Sequence, residues 1–415
     1  MVVGEKMAGL KTSSIPQHVG LLIIQPSPFC NINCDYCYLP GRNSTKRMTM
    51  PVLRRTIEKV FASGLVGEKL SIVWHAGEPL ALPISFYEEA FESIAALSVP
   101  HEKIVHSMQS NGTLVNDKWC SFIKAHNINL GLSIDGPDFI HDAHRKTRRG
   151  KGTHAQVMKG VENLRKNNVE FHVIAVITEQ SLNYPDEIFN FFLDNCIRRV
   201  GFNIEELEGV HSTSTLAKDS THQRVRDFLH RMYCLQKSAG GAIKIREFDR
   251  AYQAIALSAD VDGYEAVRPN EQVTPFGIIS VDYDGSLYSF SPELLGMKSS
   301  TYGDFCFGNI KDVDKVTDIA KGAKFKQVSE DIQAGVRLCS ESCEYFSLCG
   351  GGAPSNKYYE NSSFASAETM FCRYTIKLPI DIVLADLEES LGINPPVLEA
   401  AGRLRNQPST AQLTP

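Results

Sequence analysis

The stretch PSPFCNINCDYCYLPGR sets Cys30, Cys34 and Cys37 in one short loop, with no fourth ligand nearby. Structural zinc closes its coordination with four protein ligands and iron-sulfur cubanes usually take four thiolates, so a C-x3-C-x2-C loop leaves one position of its metal site unfilled. An open position suits chemistry; the alternative is a zinc loop completed by a distant residue. Cys339, Cys343, Cys349 and Cys372 form a second group in C-x3-C-x5-C-x22-C spacing, while Cys120, Cys196, Cys234 and Cys306 are scattered. In a chain of 415 residues and a reducing compartment, such tight spacing favours metal ligation over a disulfide framework. Cys120, Cys196 and Cys234 stand in helix-like apolar surroundings and read as small core residues.

The compartment follows from what is missing. No run reaches the roughly 18 apolar residues of a membrane span, and the opening MVVGEKMAGLKTSSIPQ has no apolar signal-peptide core. A cytoplasmic protein with no membrane partner is expected. A net charge of -5 provides no global basic field for nucleic acid.

From residue 20 to 207, short apolar or β-branched runs alternate with amphipathic stretches: GLLIIQP, LSIVWHAGEP, KIVHSMQSNG, NINLGLSIDGP, VEFHVIAVIT and RVGFNIEELEG. Between the first two, Leu53, Ile57, Val60 and Phe61 recur at helical spacing after Thr49, a plausible cap. Six βα units are predicted, with a parallel sheet doubly wound or curved into a partial barrel. The chemistry-bearing groups follow successive strands, as they do at the C-terminal strand ends of a barrel. Residues 208–270 read as a helical bridge, and IISVDYDGSLYSF as a hairpin turning at Asp284-Gly285. Residues 381–415 read as a helix and a disordered polar tail; the first 19 residues are too few for a recognisable leader-binding domain.

The three-cysteine loop, with Tyr36 before its last cysteine, resembles the radical S-adenosylmethionine (SAM) family, in which a [4Fe-4S] cluster on three cysteines leaves one iron to chelate SAM. Ala76-Gly77-Glu78-Pro79 matches the family's GGEP element, whose Glu takes the SAM amino group. Asn111 in QSNGT and Ser133 in LSIDG match positions that bond the methionyl or ribose groups, and Arg145 matches an Arg that pairs with the SAM carboxylate. Lys146, Arg148, Arg149 and Lys151 read as a solvated face, or as an attractor for an acidic leader peptide.

The later cysteine group, over residues 271–380, resembles a SPASM domain, which carries auxiliary [4Fe-4S] clusters in peptide-modifying enzymes. The second auxiliary site of that pattern lacks its cysteines here: TPFG precedes the hairpin, YSFSPELLG follows it, and Ala353 stands at a further ligand position. One fully ligated auxiliary cluster is therefore expected, held by Cys339, Cys343, Cys349 and Cys372. The resemblance implies an α/β fold, a partial (β/α)6 barrel followed by a SPASM-like domain. It implies two [4Fe-4S] clusters, SAM, a ribosomally made precursor peptide, and an electron donor such as flavodoxin or ferredoxin.

WHAGEPLALP, FSPELLG, FGNI and CGGGAPSNKYYEN look like maturases that form three-residue cyclophanes in glycine-rich-repeat peptides by joining an aromatic ring carbon to a β-carbon. Sulfatase maturases share several elements, but the position of their base-providing Asp and its preceding cysteine reads Phe290-Ser291. The implied reaction abstracts a β-hydrogen, adds the carbon radical to an arene, and sheds one electron and one proton. Glu293 or Asp282 is the expected proton acceptor. Thioether formation, epimerisation and formylglycine formation are alternatives; a non-catalytic iron-sulfur electron carrier or peptide-binding module is an alternative of another class.

Overall fold

The structure, a computed structural model, describes residues 18–259 and 267–393. The predicted opening segment up to residue 17 and the polar tail lie outside the described residues. Six strands run parallel in chain order across one sheet: β1 Val19–Ile24, β2 Val66–Trp74, β3 Ile104–Ser110, β4 Asn129–Ser133, β5 Phe171–Ile177 and β6 Arg199–Ile204. A short seventh, β7 Lys244–Ile245, pairs parallel to β6. Spatial order equals chain order, so crossovers of the usual single hand put the connecting helices on one face. The sheet stays open, with β7 at one edge.

The first crossover shows how the sequence builds a unit. Helix Met50–Ala62 carries Pro51 in its first turn and buries Leu53, Ile57 and Val60 as its spacing predicts, with Val52 and Thr56 beside them, while Phe61 is half-buried. Thr49 occupies the cap position but makes no side-chain cap bond. Asn116 does cap, accepting from the Trp119 amide at 3.1 Å at the start of helix Asp117–Ala125. Cys120 on that helix is buried as expected, whereas Cys196 is exposed at φ +47° and Cys234 is half-buried. Cys196 follows the last turn of helix Pro185–Asp194, so its backbone closes a helix end and does not face the core.

The hairpin forms where it was anticipated. β8 Ile278–Val281 and β9 Ser286–Ser289 pair antiparallel across a turn in which the Gly285 amide donates to the Asp282 carbonyl at 2.9 Å. β8 also adds to the free edge of β1 in parallel, Leu21 against Ile278 through Ile24 against Val281. β10 Gly308–Asn309 pairs with β9 and ends the sheet on that side. A division of the chain near residue 271 therefore leaves both parts sharing one sheet and one apolar core. Beyond the hairpin, helix Ala323–Ser342 carries Cys339 and is capped by Cys343, the short helix Phe346–Cys349 ends on Cys349, and a π-helical turn Cys372–Lys377 opens on Cys372; helices Pro354–Asn361 and Leu378–Ser390 complete this part of the chain.

Lys59 ties the two parts together: its ammonium donates to the Ile310 carbonyl at 2.8 Å and to the Val313 carbonyl. Charge-assisted bonds of this kind contribute about 1.5–3 kcal/mol. Lys59→Met is expected to lower the unfolding free energy by an amount near the bottom of that range, since the side chain is only half-buried, read as a lower urea midpoint at an unchanged denaturant slope.

Candidate active site

The cysteine loop leaves the end of β1 and is closed by two backbone bonds, Cys30 N–H to the Arg42 carbonyl at 3.1 Å and Met48 N–H to the Pro26 carbonyl at 2.8 Å. Its centre, Ile32–Cys34, forms an antiparallel ribbon with Arg145–Thr147, Cys34 opposite Arg145. The pairing brings Arg145 Nη1 to 4.0 Å from Cys34 Sγ. It also corrects the expectation of a purely solvated basic run: Lys146 pairs with Asp35 at 2.9 Å, and Arg148 donates from Nε to the Cys30 carbonyl at 2.8 Å while lying over the Phe29 ring.

The segment after β2 is pressed against this loop. Gly77 has φ +119°, and a Cβ there would stand 2.9 Å from the Phe29 carbonyl oxygen and closer still to that of Ser27, so only glycine fits. Ala76 also takes a left-handed conformation, φ +65°, and its carbonyl accepts from Gln25 Nε2 at 2.8 Å. The buried Glu78 carboxylate accepts from Leu80 N–H at 2.9 Å, Ser110 Oγ at 2.8 Å and Asn111 N–H at 2.7 Å. A carboxylate has about four acceptor positions, so Glu78 is fixed in place by the ends of β2 and β3 and retains one for a ligand. Burial nevertheless pushes it up to about 7. Pro79 opens a short turn, and its carbonyl receives the Tyr87 hydroxyl at 2.9 Å.

Asn111 continues the network, with Nδ2 3.7 Å from Cys30 Sγ and 2.9 Å from Asn31 Oδ1. Ser133 Oγ accepts from Gln109 Nε2 at 3.1 Å on the neighbouring strand. At the end of β4 stands Asp135, which the sequence reading passed over although SIDGP contains it. Arg145 donates to it twice, Nε to Oδ2 at 2.9 Å and Nη2 to Oδ1 at 3.1 Å; the Tyr36 hydroxyl donates to Oδ2, and Val176 N–H on β5 to Oδ1 at 2.9 Å. Burial alone would raise the Asp135 pKa, but the Arg145 charge and these bonds outweigh it and hold the carboxyl below its ordinary range.

The thiols tell which occupant fits. Burial first, then the Glu78 charge and the neighbouring thiols, push Cys30 up to about 12; burial pushes Cys34 to about 11 despite Arg145. Alone they keep their protons, and they become ligands when a cationic centre replaces those protons. Among the described residues no three His, Cys, Asp or Glu side chains converge closely enough for a single metal ion. Cys339, Cys343, Cys349 and Cys372 line the walls of one cavity of about 60 Å³, four thiols of the kind an iron-sulfur cluster takes. Backbone amides of Gly352 and Thr369 point at Cys349 Sγ and Cys372 Sγ, at 3.2 and 3.4 Å. Cys306 stands outside this cavity, its thiol donating to the Gly308 carbonyl at 3.1 Å.

Glu293 Oε2 is buried without a hydrogen-bond partner. Glu206 and Glu208 interact electrostatically with it; Asn356 Nδ2 donates to Glu206 at 2.8 Å and Ser355 Oγ to Glu208 at 2.9 Å. Burial raises Glu293 to about 7; burial and the adjacent charges raise Glu206 to about 8 and Glu208 well above the usual carboxylate value. Burial, then the charges of Glu293, Cys37 and Glu208, raise the Tyr38 phenol, so this acidic cluster adjoins the cysteine loop. The three glutamates of NIEELEG were the available signal. Asp282, also pushed up to about 7 by burial, sits in the hairpin turn with Asp284 and Lys46 as its charged neighbours, apart from that cluster.

Residues 24–192 match the family described as the Radical SAM superfamily. The chain is 44% identical over 377 residues to the uncharacterized protein sll1766 of Synechocystis sp., spanning 90% of this chain and 93% of that protein. A cysteine-type anaerobic sulfatase-maturating enzyme of Clostridium perfringens is 25% identical, spanning 80% of this chain and 88% of the enzyme. Among solved structures, native anSMEcpe with bound AdoMet and Cp18Cys peptide superposes with a TM-score of 0.71 at 22% identity, over 90% of this chain and 99% of that one. Streptococcus suis SuiB bound to precursor peptide SuiA gives 0.60 at 16%, over 86% and 76%. At these identities the structural likeness is one of fold. Among the described residues no helix is long and apolar enough to cross a membrane.

Asp135→Asn leaves the buried Arg145 without its counter-charge and is expected to cost about 3–5 kcal/mol, measured by urea unfolding; replacing both residues with Leu should cost less. The cluster-free protein should also lose stability as pH rises. Glu78, Glu293 and Glu206 titrate above their ordinary 4.5, near 7, 7 and 8. Their contribution is complete below 4.5 and lost as pH climbs through 7 to 8. Urea titrations at about pH 6 and pH 8.5 should show the fall, and Glu206→Gln should flatten it.

Proposed function

The chain belongs to the radical SAM superfamily, and from that premise we propose that it is a peptide maturase that closes a cyclophane, joining an aromatic ring carbon to a β-carbon in a ribosomally made precursor. As a member it uses a [4Fe-4S] cluster and SAM, and the three-cysteine loop and four-cysteine cavity fit two clusters. Bound at Cys30, Cys34 and Cys37, the first cluster with SAM supplies hydrogen abstraction from an unactivated carbon. In this reading Tyr36, the Ala76-to-Pro79 segment, Asn111, Ser133 and Arg145 orient SAM, while Asp135 holds Arg145 and Tyr36 in position.

The observation that carries the reaction class is the unpartnered Glu293 oxygen. By the resemblance, the base-providing Asp of a sulfatase maturase falls at position 291, here a buried Ser291, and its preceding cysteine at 290, here a fully buried Phe290 packed among Phe307 and Phe325. Glu293 offers a different acceptor, beside the Cys37–Tyr38 loop, with a proton affinity near neutrality. Rearomatisation of a radical adduct releases one electron, for which a cluster on Cys339, Cys343, Cys349 and Cys372 would be the acceptor, and one proton, and a general base works best when its pKa lies near the operating pH. Oε2 takes that proton, and burial holds the group near neutrality, where a carboxylate can both accept a proton and release it again. Asp282, held in the hairpin turn, is the weaker choice. Formylglycine formation is the second reading, favoured by the similarity to sulfatase-maturating enzymes along most of the chain.

Incubated anaerobically with SAM, a reductant and a glycine-rich precursor peptide, the enzyme should remove two hydrogens per modification. Fragmentation and carbon NMR should place the new bond between an arene carbon and a β-carbon; an aldehyde would instead establish the second reading. Glu293→Gln should slow crosslinking by about 10²–10⁴-fold while leaving SAM cleavage. Alanine at Cys30, Cys34 and Cys37 together should leave one cluster by iron analysis and abolish SAM cleavage.

A further inference from the structure

Lys357 is 2% exposed, one of the most enclosed charged side chains in the molecule. It rises from helix Pro354–Asn361, immediately after the Gly350-Gly351-Gly352 turn, and its stem passes Gly352. Its Nζ donates to the Gly335 carbonyl at 2.9 Å and to Cys339 Sγ at 3.2 Å. Room for it depends on Gly335: a Cβ there would stand 3.1 Å from Nζ and closer still to the Phe364 carbonyl oxygen. Among the described residues no carboxylate lies in ion-pair range of Nζ, so Cys339 sulfur is the one contacting group able to carry the opposing charge. Lys377, the lysine that lines the four-cysteine cavity itself, is neutralised by Glu368. An ammonium kept out of water without a counter-charge is unfavourable, which makes a structural role alone a poor account of Lys357.

We propose that Lys357 is a positioning residue that acts through Cys339 to raise the reduction potential of the four-cysteine cluster, fitting that site to receive electrons. The inference rests on the reading of Cys339, Cys343, Cys349 and Cys372 as iron-sulfur ligands. Uptake of one electron adds one negative charge to the cluster and its thiolates. A fixed positive charge within hydrogen-bond distance of one sulfur favours the reduced form over the oxidised one, and hydrogen bonds to cluster sulfurs and net charge are established determinants of such potentials. Low polarity around the buried contact preserves the effect that water would screen.

The test is an EPR-monitored potentiometric titration of the reconstituted full-length protein with SAM present, comparing wild type, Lys357→Met and Lys357→Arg. Lys357→Met should disfavour reduction of the four-cysteine cluster at least tenfold, a fall of 59 mV for a one-electron couple, and Lys357→Arg should stay near wild type. Identical midpoints for wild type and Lys357→Met would overturn the proposal. A second measurement does not depend on how well the variants assemble: wild-type protein labelled with 15N-lysine should show a nitrogen coupling to the reduced four-cysteine cluster by pulsed EPR, and absence of that coupling would equally overturn it. Should wild-type protein hold no iron on these four cysteines, the ligand reading itself fails, a result distinct from an unmoved potential.

Discussion

The Asp135 carboxylate joins the parts of the C-terminal strand ends that chemistry requires together. It stands at the end of β4, receives two bonds from Arg145 and one each from Tyr36 in the cysteine loop and Val176 on β5. Arg145 in turn begins the short strand that pairs with Ile32–Cys34. A single buried charge pair thus sets the register between the cysteine loop and two strands. Its desolvation is compensated because four donors converge on two oxygens. Glu78 performs the matching task one strand-pair away, binding the ends of β2 and β3.

Features encoded locally were legible from the chain. The six parallel strands, the hairpin turning at Asp284-Gly285, the buried stripe of helix Met50–Ala62 and the grouping of Cys339, Cys343, Cys349 and Cys372 each follow from spacing within a few dozen residues. What escaped notice depends on distant juxtaposition. Asp135 looks like a turn residue until Arg145 and Tyr36 close on it; Glu206 and Glu208 look like a solvated strand end until Ser355, Asn356 and Glu293 arrive from the other end of the chain. Arg148 reads as surface charge, yet it clamps the Cys30 and Arg42 carbonyls. Apolar neighbours mark Cys196 as a core residue but say nothing of the left-handed helix terminus it occupies.

The candidate site draws on both halves of the molecule. The acidic cluster is assembled from the loop after β6, the turn after β9 and helix Pro354–Asn361, while that same helix sends Lys357 to Cys339. One eight-residue helix therefore touches the groups proposed to take the proton and those proposed to take the electron. In that proposal one helix relates the proton acceptor to the electron acceptor.

The pairing of β8 against β1 has a consequence in time. Ile24 finds its partner in Val281, 257 positions later, so a ribosome completes most of the chain while the outer edge of β1 remains open. An unpaired apolar strand edge is a template for association with other chains, and contacts this remote in sequence close slowly. The nascent protein must shelter that edge until the hairpin emerges. The three-cysteine loop is likewise synthesised well ahead of Cys339, Cys343, Cys349 and Cys372, so its ligand set is complete in the chain first.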